Sequence, residues 1–326
     1  MVSRPPRAAA LDASGPKRAW LIAALRLAAR PLPDALYLRL AHWLYYRRWP
    51  DFEQPRSLQE HIQAYYLRQR DPRLVTLADK LAVRHYIESK LGPGFTVPVL
   101  GAWSRAGDVP LATLGYPLVL KPTHLSGRLL ILRAHEPLHE AACRACLDAW
   151  LRRDHSRTNR EWFYHHVPPA IVAEPLLRDT DGGLPPDIKA YVIGGRVRYF
   201  QVDRGRLDRP TRNLYGRRWQ LLAARTTLPR HPAEPAPLPL KVMIEAAECL
   251  AADFEFLRVD FYVLGAQWLI GELTNSPGAG FGRFYPEAFA EAMAAHWAAP
   301  RAARARASIG MNPLQRETTG NAACRK

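Results

Sequence analysis

Arg258-Val-Asp260-Phe-Tyr-Val-Leu-Gly265-Ala266-Gln-Trp-Leu-Ile-Gly-Glu272-Leu-Thr274-Asn275-Ser-Pro277-Gly278 is the stretch whose reading decides the fold. Its apolar residues predict two strands joined by a tight turn at Gly265-Ala266. Asp260 stands on the first strand and Glu272 closes the second, so a hairpin brings the two carboxylates side by side. The polar Thr274 and Asn275 follow at the same end. Hard oxygen groups gathered in this way suit Mg²⁺, which keeps several waters and bridges to phosphates. Strand alternation puts Arg258 on the same face as Asp260. The plain alternative is a hairpin whose acids are solvated or salt-bridged, Arg258 with Asp260. Against it, the acids sit among Leu, Ile, Val, Phe and Trp, where unpaired charge is costly. The Pro277-Gly278 turn that follows lets backbone approach a ligand.

Around this hairpin the chain has 326 residues, 48% hydrophobic and 23% charged, which is ample for a core and for two domains or one large one. A formal charge of +16 points to anionic partners: nucleotides, acidic glycans, nucleic acid or an anionic membrane surface. The excess is spread along the chain and dominated by Arg. Four cysteines give no disulfide framework. Cys143 and Cys146 form a C-x-x-C inside an amphipathic helix; zinc needs a second pair, which is missing, so they read as packed helix residues. Low cysteine use agrees with a reducing cytoplasm. No segment approaches the ~20 apolar residues of a membrane span. Trp20 to Ala29 is short and interrupted by Arg26. It reads as a helix packed on its own domain, with peripheral contact at the inner membrane face as the alternative.

Residues 1–17 are expected to be disordered, 18–95 helical and basic, 96–299 α+β, and 300–326 a disordered tail. Helices are predicted over Arg18 to Arg48 with a break near Pro31, over Leu58 to Arg70 behind the capping box Ser57-Leu-Gln-Glu60, and over Val75 to Leu91. Tyr116 to Pro122 reads as a strand with Leu129 to Arg133 as its partner, followed by a helix from Pro137 to Arg153. Ala170 to Leu177 is a strand. Ile188 to Val202 is a hairpin about Gly194-Gly195. A Pro-rich connection, Leu228 to Pro239, leads to a helix over Leu240 to Asp253, then the acidic hairpin, then a helix near Pro286 to Ala298. No P-loop is present, and Gly278-Ala-Gly280-Phe-Gly282 opens no βαβ unit, so both the P-loop and Rossmann readings fail.

Lys121, Glu174, Lys189, Asp260 and Glu272 therefore fall in order on strands or strand ends. In that order and setting the chain resembles the ATP-grasp fold, an α+β arrangement in which two subdomains grip a nucleotide. It resembles in detail the TupA-like ATP-grasp branch, linked to teichuronopeptide and surface-polysaccharide synthesis. The stretches that carry this are Pro55-Arg-Ser-Leu-Gln-Glu60, Ala78-Asp-Lys-Leu-Ala-Val-Arg84, Val119-Leu-Lys-Pro122 and Ile171-Val-Ala-Glu-Pro-Leu176. Tyr199-Phe-Gln-Val-Asp203, Arg212-Asn-Leu-Tyr215, Arg258-Val-Asp260 and Gly271-Glu-Leu-Thr274 through Gly278 continue it, so the likeness covers about Leu36 to Trp297. It implies a lid subdomain at about 116–170 and a C-terminal subdomain at about 171–299.

The resemblance also implies roles. Lys121 from the lid would contact ATP phosphates, with Lys80 a second phosphate candidate or a helix-surface partner of Asp79. Glu174, Leu176 and Leu177 would lie at the hinge against adenine. Lys189, in an Asp187-x-Lys pair, would serve phosphate or acyl substrate. Asp260, Glu272 and either Thr274 or Asn275 would hold Mg²⁺, and Arg258 would steady a negatively charged intermediate. One departure stands out. The family's glycine-rich loop appears here as Thr123-His-Leu-Ser-Gly-Arg128, in which Ser126, Gly127 and Arg128 would face phosphate and the side chains of Leu125 and Arg128 must be accommodated. The expectation is an ATP- and Mg²⁺-dependent carboxylate–amine ligase in the cytoplasm, joining a sugar acid, amino acid or glycan. The alternatives are a catalytically weak ATP-grasp protein that binds nucleotide or glycan within an assembly complex, and a basic nucleic-acid-binding protein. No nucleic-acid motif accompanies the charge, so nucleic acid is not expected as a partner.

Overall fold

The computed structural model describes residues 31–297 apart from His135, Thr180 and Arg206. The tails at 1–17 and 300–326 and the helix expected within 18–30 lie outside the described residues. Two antiparallel sheets organise the rest. The first has four strands in the order β1-β4-β2-β3, where β1 is Gly101–Trp103, β2 Leu118–Pro122, β3 Leu130–Leu132 and β4 Ile171–Pro175. The second has five in the order β7-β6-β5-β8-β9, where β5 is Asp187–Ile193, β6 Arg196–Arg204, β7 Thr211–Gly216, β8 Phe256–Leu264 and β9 Gln267–Thr274.

Alternation explains how each sheet divides its side chains. On β5, Ile188, Ala190 and Val192 face a core shared with Phe200 and Val202 of β6 and Val259 and Phe261 of β8. Helix α6, Leu240–Leu250, contributes Met243, Ala247 and Leu250 to that core. The opposite face carries Asp187 and Lys189 of β5, Gln201 and Asp203 of β6, Arg258 and Asp260 of β8, and Glu272 of β9. In the first sheet, Leu118, Leu120, Leu130, Leu132, Ile171 and Ala173 pack with Cys143, Leu147 and Trp150 of helix α5, Glu140–Leu151. Each such leucine contributes roughly 1.5–3 kcal/mol by leaving water. The other face carries Val119, Lys121, Ile131, Val172 and Glu174. Because β4 pairs with β2 from Leu118↔Pro175 to Pro122↔Ile171, it belongs by hydrogen bonding to this first sheet, although the second subdomain is expected to begin at about 171.

The helices before the sheets are α1, Asp34–Tyr46; α2, Leu58–Arg68; α3, Arg73–Ala78; and α4, Ala82–Leu91. The capping signal holds in a shifted form: Ser57 Oγ accepts from Glu60 N at 3.3 Å, and Glu60 Oε2 accepts at 2.7 Å from Arg56 N, one residue before the N-cap. The single helix expected over Val75–Leu91 is two. Asp79 takes an extended conformation at ψ 116°, and its Oδ1 accepts from Leu81 N at 2.8 Å, which stops α3 and starts α4. Lys80 therefore stands at a break rather than on a helix surface. Gly194 and Gly195, at φ 61° and 78°, make the β5–β6 turn, and Gly265, at φ 67°, makes the β8–β9 turn.

Candidate functional site

The β8–β9 register sets Asp260 directly opposite Glu272 and Arg258 opposite Thr274. Arg258 grips Asp260 with two bonds, Nε to Oδ1 at 2.6 Å and Nη2 to Oδ2 at 2.7 Å. Its Nη2 also donates to Thr274 Oγ1 at 3.0 Å, and the Thr274 hydroxyl donates to Glu272 Oε1 at 2.8 Å. Lys189, one strand away, lies 3.3 Å from Asp260 Oδ2 and 2.6 Å from Asp187 Oδ2. Asp203 Oδ2 is 3.8 Å from the same ammonium and takes Arg212 Nη2 at 2.9 Å. The result is a charged row across all five strands, in which four carboxylates face Lys189, Arg212 and Arg258.

Burial sets the electrostatics of this row. It pushes the Asp260 carboxyl up, against Arg258 and Lys189, which favour the charged form. Glu272 is also desolvated, but Arg258 and then Lys80 outweigh burial and hold its carboxyl below the usual range. Glu272 is half-buried and Asp260 buried, so Glu272 is the more open of the two anions.

Lys121 and Lys80 face this row from the other wall. Burial lowers the Lys121 ammonium, but Tyr262 and Glu174, with Glu272 further on, more than reverse this and hold it strongly protonated. Its Nζ donates to Glu174 Oε2 at 2.5 Å, and Arg84 Nη2 donates to Glu174 Oε1 at 2.9 Å. Glu174 is thus a buried carboxylate held between two cations. Lys80 Nζ donates to the Leu125 carbonyl at 2.6 Å, and burial lowers its pKa despite the field of Glu272.

The loop 123–128 is fastened from several sides. Thr123 Oγ1 donates to Pro168 O at 2.9 Å, His124 Nε2 meets Trp150 O at 3.1 Å, and Ser126 lies near Tyr164. The Leu125 side chain is 1% exposed and packs in the lid core, so it does not project over the cleft. Gly127 keeps the left-handed conformation at φ 66° that the turn requires. Ser126 and Gly127 are exposed and Arg128 is half-buried. Just past β4, Leu176 N donates to Pro117 O at 3.2 Å, so that N–H is engaged with the segment leading into β2. Leu176 and Leu177 are both half-buried.

The donor set fits Mg²⁺ bound together with phosphates. Among the described residues no three His, Cys, Asp or Glu side chains gather to hold a metal by themselves. Two opposed carboxylates and a hydroxyl would form instead a partial shell that phosphate and water complete. Thr274 shares the face of Glu272 by strand parity. Asn275, one residue on, donates Nδ2 to Leu74 O at 3.0 Å, while its Oδ1 is buried with no hydrogen-bond partner among the described residues.

Arg84, Arg212, Asp203 and Tyr164 went unassigned in the sequence. Arg84 had a signal, since it stands four residues after Lys80 near the start of α4. Arg212 and Asp203 had one in their place on the alternating polar face, but β7 was not read as a strand. Tyr164 lies in a 3₁₀ segment, Trp162–His166, with no periodic signal.

Residues 60–297 match the model of the family described as TupA-like ATPgrasp. No curated protein matches the chain. Among solved structures it is similar to D-alanine–D-alanine ligase from Bacillus anthracis complexed with ATP, at 15% identity and a TM-score of 0.39, covering 62% of this chain and 56% of that one. It is similar also to L-amino acid ligase from Bacillus licheniformis, at 14% identity and a TM-score of 0.41, covering 76% and 56%. The chain thus spans little more than half the length of these two structures.

Proposed function

The chain belongs to the TupA-like ATP-grasp family, and on that premise we propose that it is an ATP-dependent carboxylate–amine ligase. A substrate carboxylate oxygen bonds to the γ-phosphorus of ATP as the β–γ bridge breaks, giving an acyl phosphate and ADP. An amine nitrogen then bonds to the acyl carbon, and phosphate leaves with the former carboxylate oxygen, giving the amide. The observation that carries this reading is the unbroken chain of contacts Lys189–Asp260–Arg258–Thr274–Glu272, with Lys121 and Lys80 facing it.

In this reading Lys121, oriented by Glu174, donates to phosphate oxygens, and Lys80 exchanges the Leu125 carbonyl for phosphate. Ser126, Gly127 and Arg128 line the phosphate end; Glu174, Leu176 and Leu177 border the adenine end. Arg258 turns its guanidinium toward the oxyanion of the tetrahedral intermediate. Lys189 holds the incoming carboxylate. Asp260, Glu272 and Thr274 would hold Mg²⁺, with Asn275 Oδ1 as the alternative third donor, and the ion supplies charge neutralisation on the phosphoryl oxygens. The substrate classes are a sugar acid, an amino acid or a glycan, in surface-polysaccharide synthesis on the cytoplasmic side.

Two measurements test the reading. Mg-ATP should raise the melting temperature, and ADP should appear when uronic acids are paired with amino acids or amino sugars. With an ¹⁸O-labelled carboxylate, one label should appear in the released phosphate. Protein that shows no Mg-dependent stabilisation by ATP ends the proposal at its first step.

A further inference from the structure

Helix α1 is apolar on both of its sides. Tyr37, Leu38, Ala41 and Tyr45 are buried in the core. The opposite side faces water: Leu36 is 40% exposed and Trp43 42%, with Leu40 and Leu44 half-buried beside them. Leu36, Leu40, Trp43 and Arg47 follow one another at helical spacing and form one stripe. Trp49, just past the helix, is 53% exposed. A helix apolar all round is ordinarily buried all round, and a contiguous apolar stripe left outside marks an interaction surface.

Charge decides what the surface fits. Arg47 lies over the Trp43 ring at 5.1 Å and Arg39 over the Phe52 ring at 5.6 Å, and neither guanidinium has a carboxylate partner among the described residues. The acids of residues 31–60 are engaged elsewhere. Asp34 meets Arg160 at 3.4 Å, Glu53 meets Arg68 at 3.6 Å and Glu60 meets Arg48 at 3.1 Å. Asp51 accepts from the N–H groups of Glu53 and Gln54, both at 2.9 Å. Whatever covers the stripe must therefore bring negative charge as well as an apolar layer. A second copy would set Arg39 and Arg47 against the same two arginines. The residues before Pro31 add cations of their own, with Arg4, Arg7, Lys17, Arg18, Arg26 and Arg30 against Asp12 alone. An anionic bilayer meets both needs. Tryptophan settles at its boundary because the ring is apolar and the N–H polar, and arginine carries its charge on an apolar stem. We propose that the outer side of α1, with Trp49, is a docking surface for an anionic membrane. Helix α1 lies flat in the headgroup layer, with Leu36, Leu40 and Trp43 toward the acyl chains and Arg39 and Arg47 at the lipid phosphates. The inference does not rest on the ligase reading.

The test is co-sedimentation of the full chain with vesicles of phosphatidylcholine alone, and of phosphatidylcholine and phosphatidylglycerol in equal parts. Binding is expected to the anionic vesicles only, and it should weaken as salt is raised. Replacing both arginines, Arg39→Gln with Arg47→Gln, should weaken it about thirtyfold, each charge near the surface contributing about fivefold. Trp43→Asp should weaken it at least about tenfold. Both variants should keep the ligand-free melting temperature and the Mg-ATP melting shift of the wild type, because the substituted side chains lie outside the core. Brominated lipid should quench tryptophan fluorescence, and less so in Trp43→Phe. Three results overturn the proposal: no binding to the anionic vesicles; unchanged affinity in either variant, the sign that α1 does not touch lipid; or a lipid-free dimer in light scattering that Trp43→Asp dissociates, which would give the stripe to a second copy. Vesicle binding by protein that does not respond to Mg-ATP supports the surface and removes the ligase reading, so the two failures are distinguishable.

Discussion

Arg258 and Asp260, two residues apart on β8, meet in a two-pronged ion pair at 2.6 and 2.7 Å, and the same guanidinium reaches Thr274. The ordinary salt bridge weighed against a functional hairpin is therefore present, and it is also what fixes the guanidinium beside the acids. A fork of this kind is not reproduced by an ammonium. Arg258→Lys should lower kcat roughly 10²-fold, the usual scale for losing one oxyanion donor, with the KM for ATP nearly unchanged. A KM that rises while kcat holds would place Arg258 in ATP binding instead.

Glu272 is the more open carboxylate, and its contact with Thr274 survives as a bond to an amide oxygen in Glu272→Gln. The ligand-free melting temperature should move by no more than about 4 °C. The Mg-dependent part of the ATP-induced shift should vanish. A variant that keeps this part takes Glu272 out of the metal site.

Glu174 neutralises Arg84 and Lys121 together at 6% side-chain exposure. Glu174→Gln leaves two cations without their anion, and breaking such a buried arrangement costs roughly 3–5 kcal/mol. Urea unfolding should show that loss, and Glu174→Gln with Arg84→Met should recover part of it. A loss below about 1 kcal/mol would mean that solvent already compensates the two cations.

What the sequence made legible follows from periodicity. The acidic hairpin and the Gly194-Gly195 turn came from strand patterns bounded by turn residues, the Lys121 and Glu174 strands from short apolar runs, and alternation groups Arg258, Asp260, Glu272 and Thr274 on one face while leaving Asn275 off it. The break at Asp79 was hidden. Leu74, Leu77, Ala78 and Leu81 keep helical spacing across it, and the stop is a side chain turned onto its own backbone. Strand β7 was hidden because it pairs on one side only and its polar residues serve the charged row and the 228–239 connection. Arg84 closes the stretch Ala78–Arg84, but its contact with Glu174 spans 90 residues and no local pattern announces it.

Stability should depend on pH with opposing contributions. Burial holds His42 and His155 down to about 4 from 6.5, with Lys80 adding to the effect at His155. Between pH 4 and 6.5 the unfolded chain takes up protons that the folded imidazoles refuse, so stability rises with pH by up to roughly 3 kcal/mol per group. Glu161 works the other way. Burial raises its carboxyl to about 7 from 4.5, so the folded chain keeps a proton that the unfolded chain releases, and stability falls across that window. These two imidazoles, joined by His61, which burial also lowers to about 4, outweigh the one carboxyl and give a net rise on going from pH 4 to 6.5. Removing the carboxyl with Glu161→Gln should steepen it, the variant gaining on the wild type between pH 4.5 and 7. Parallel urea-unfolding profiles would show that Glu161 is not held protonated in the fold.

The glycine-poor loop gives the sharpest contrast between a family pattern and this chain. Leu125 stands where a glycine is expected, and the pattern alone predicts that a side chain there must be accommodated over phosphate. Its side chain instead fills the lid core, while its carbonyl takes the Lys80 ammonium. Replacing it with glycine should therefore harm the site rather than restore it. Loss of a buried leucine costs roughly 2–5 kcal/mol, and added backbone freedom costs up to about 1 kcal/mol more. Leu125→Gly should speed hydrogen exchange at the amides of Leu118–Lys121 and raise the KM for ATP. Arg128→Gly, at a half-buried position outside the lid core, should leave lid exchange near the wild type and act on ATP binding alone. If Leu125→Gly binds ATP more tightly than the wild type, Leu125 obstructs the phosphate site, and the fastening by Lys80 has been given the wrong role.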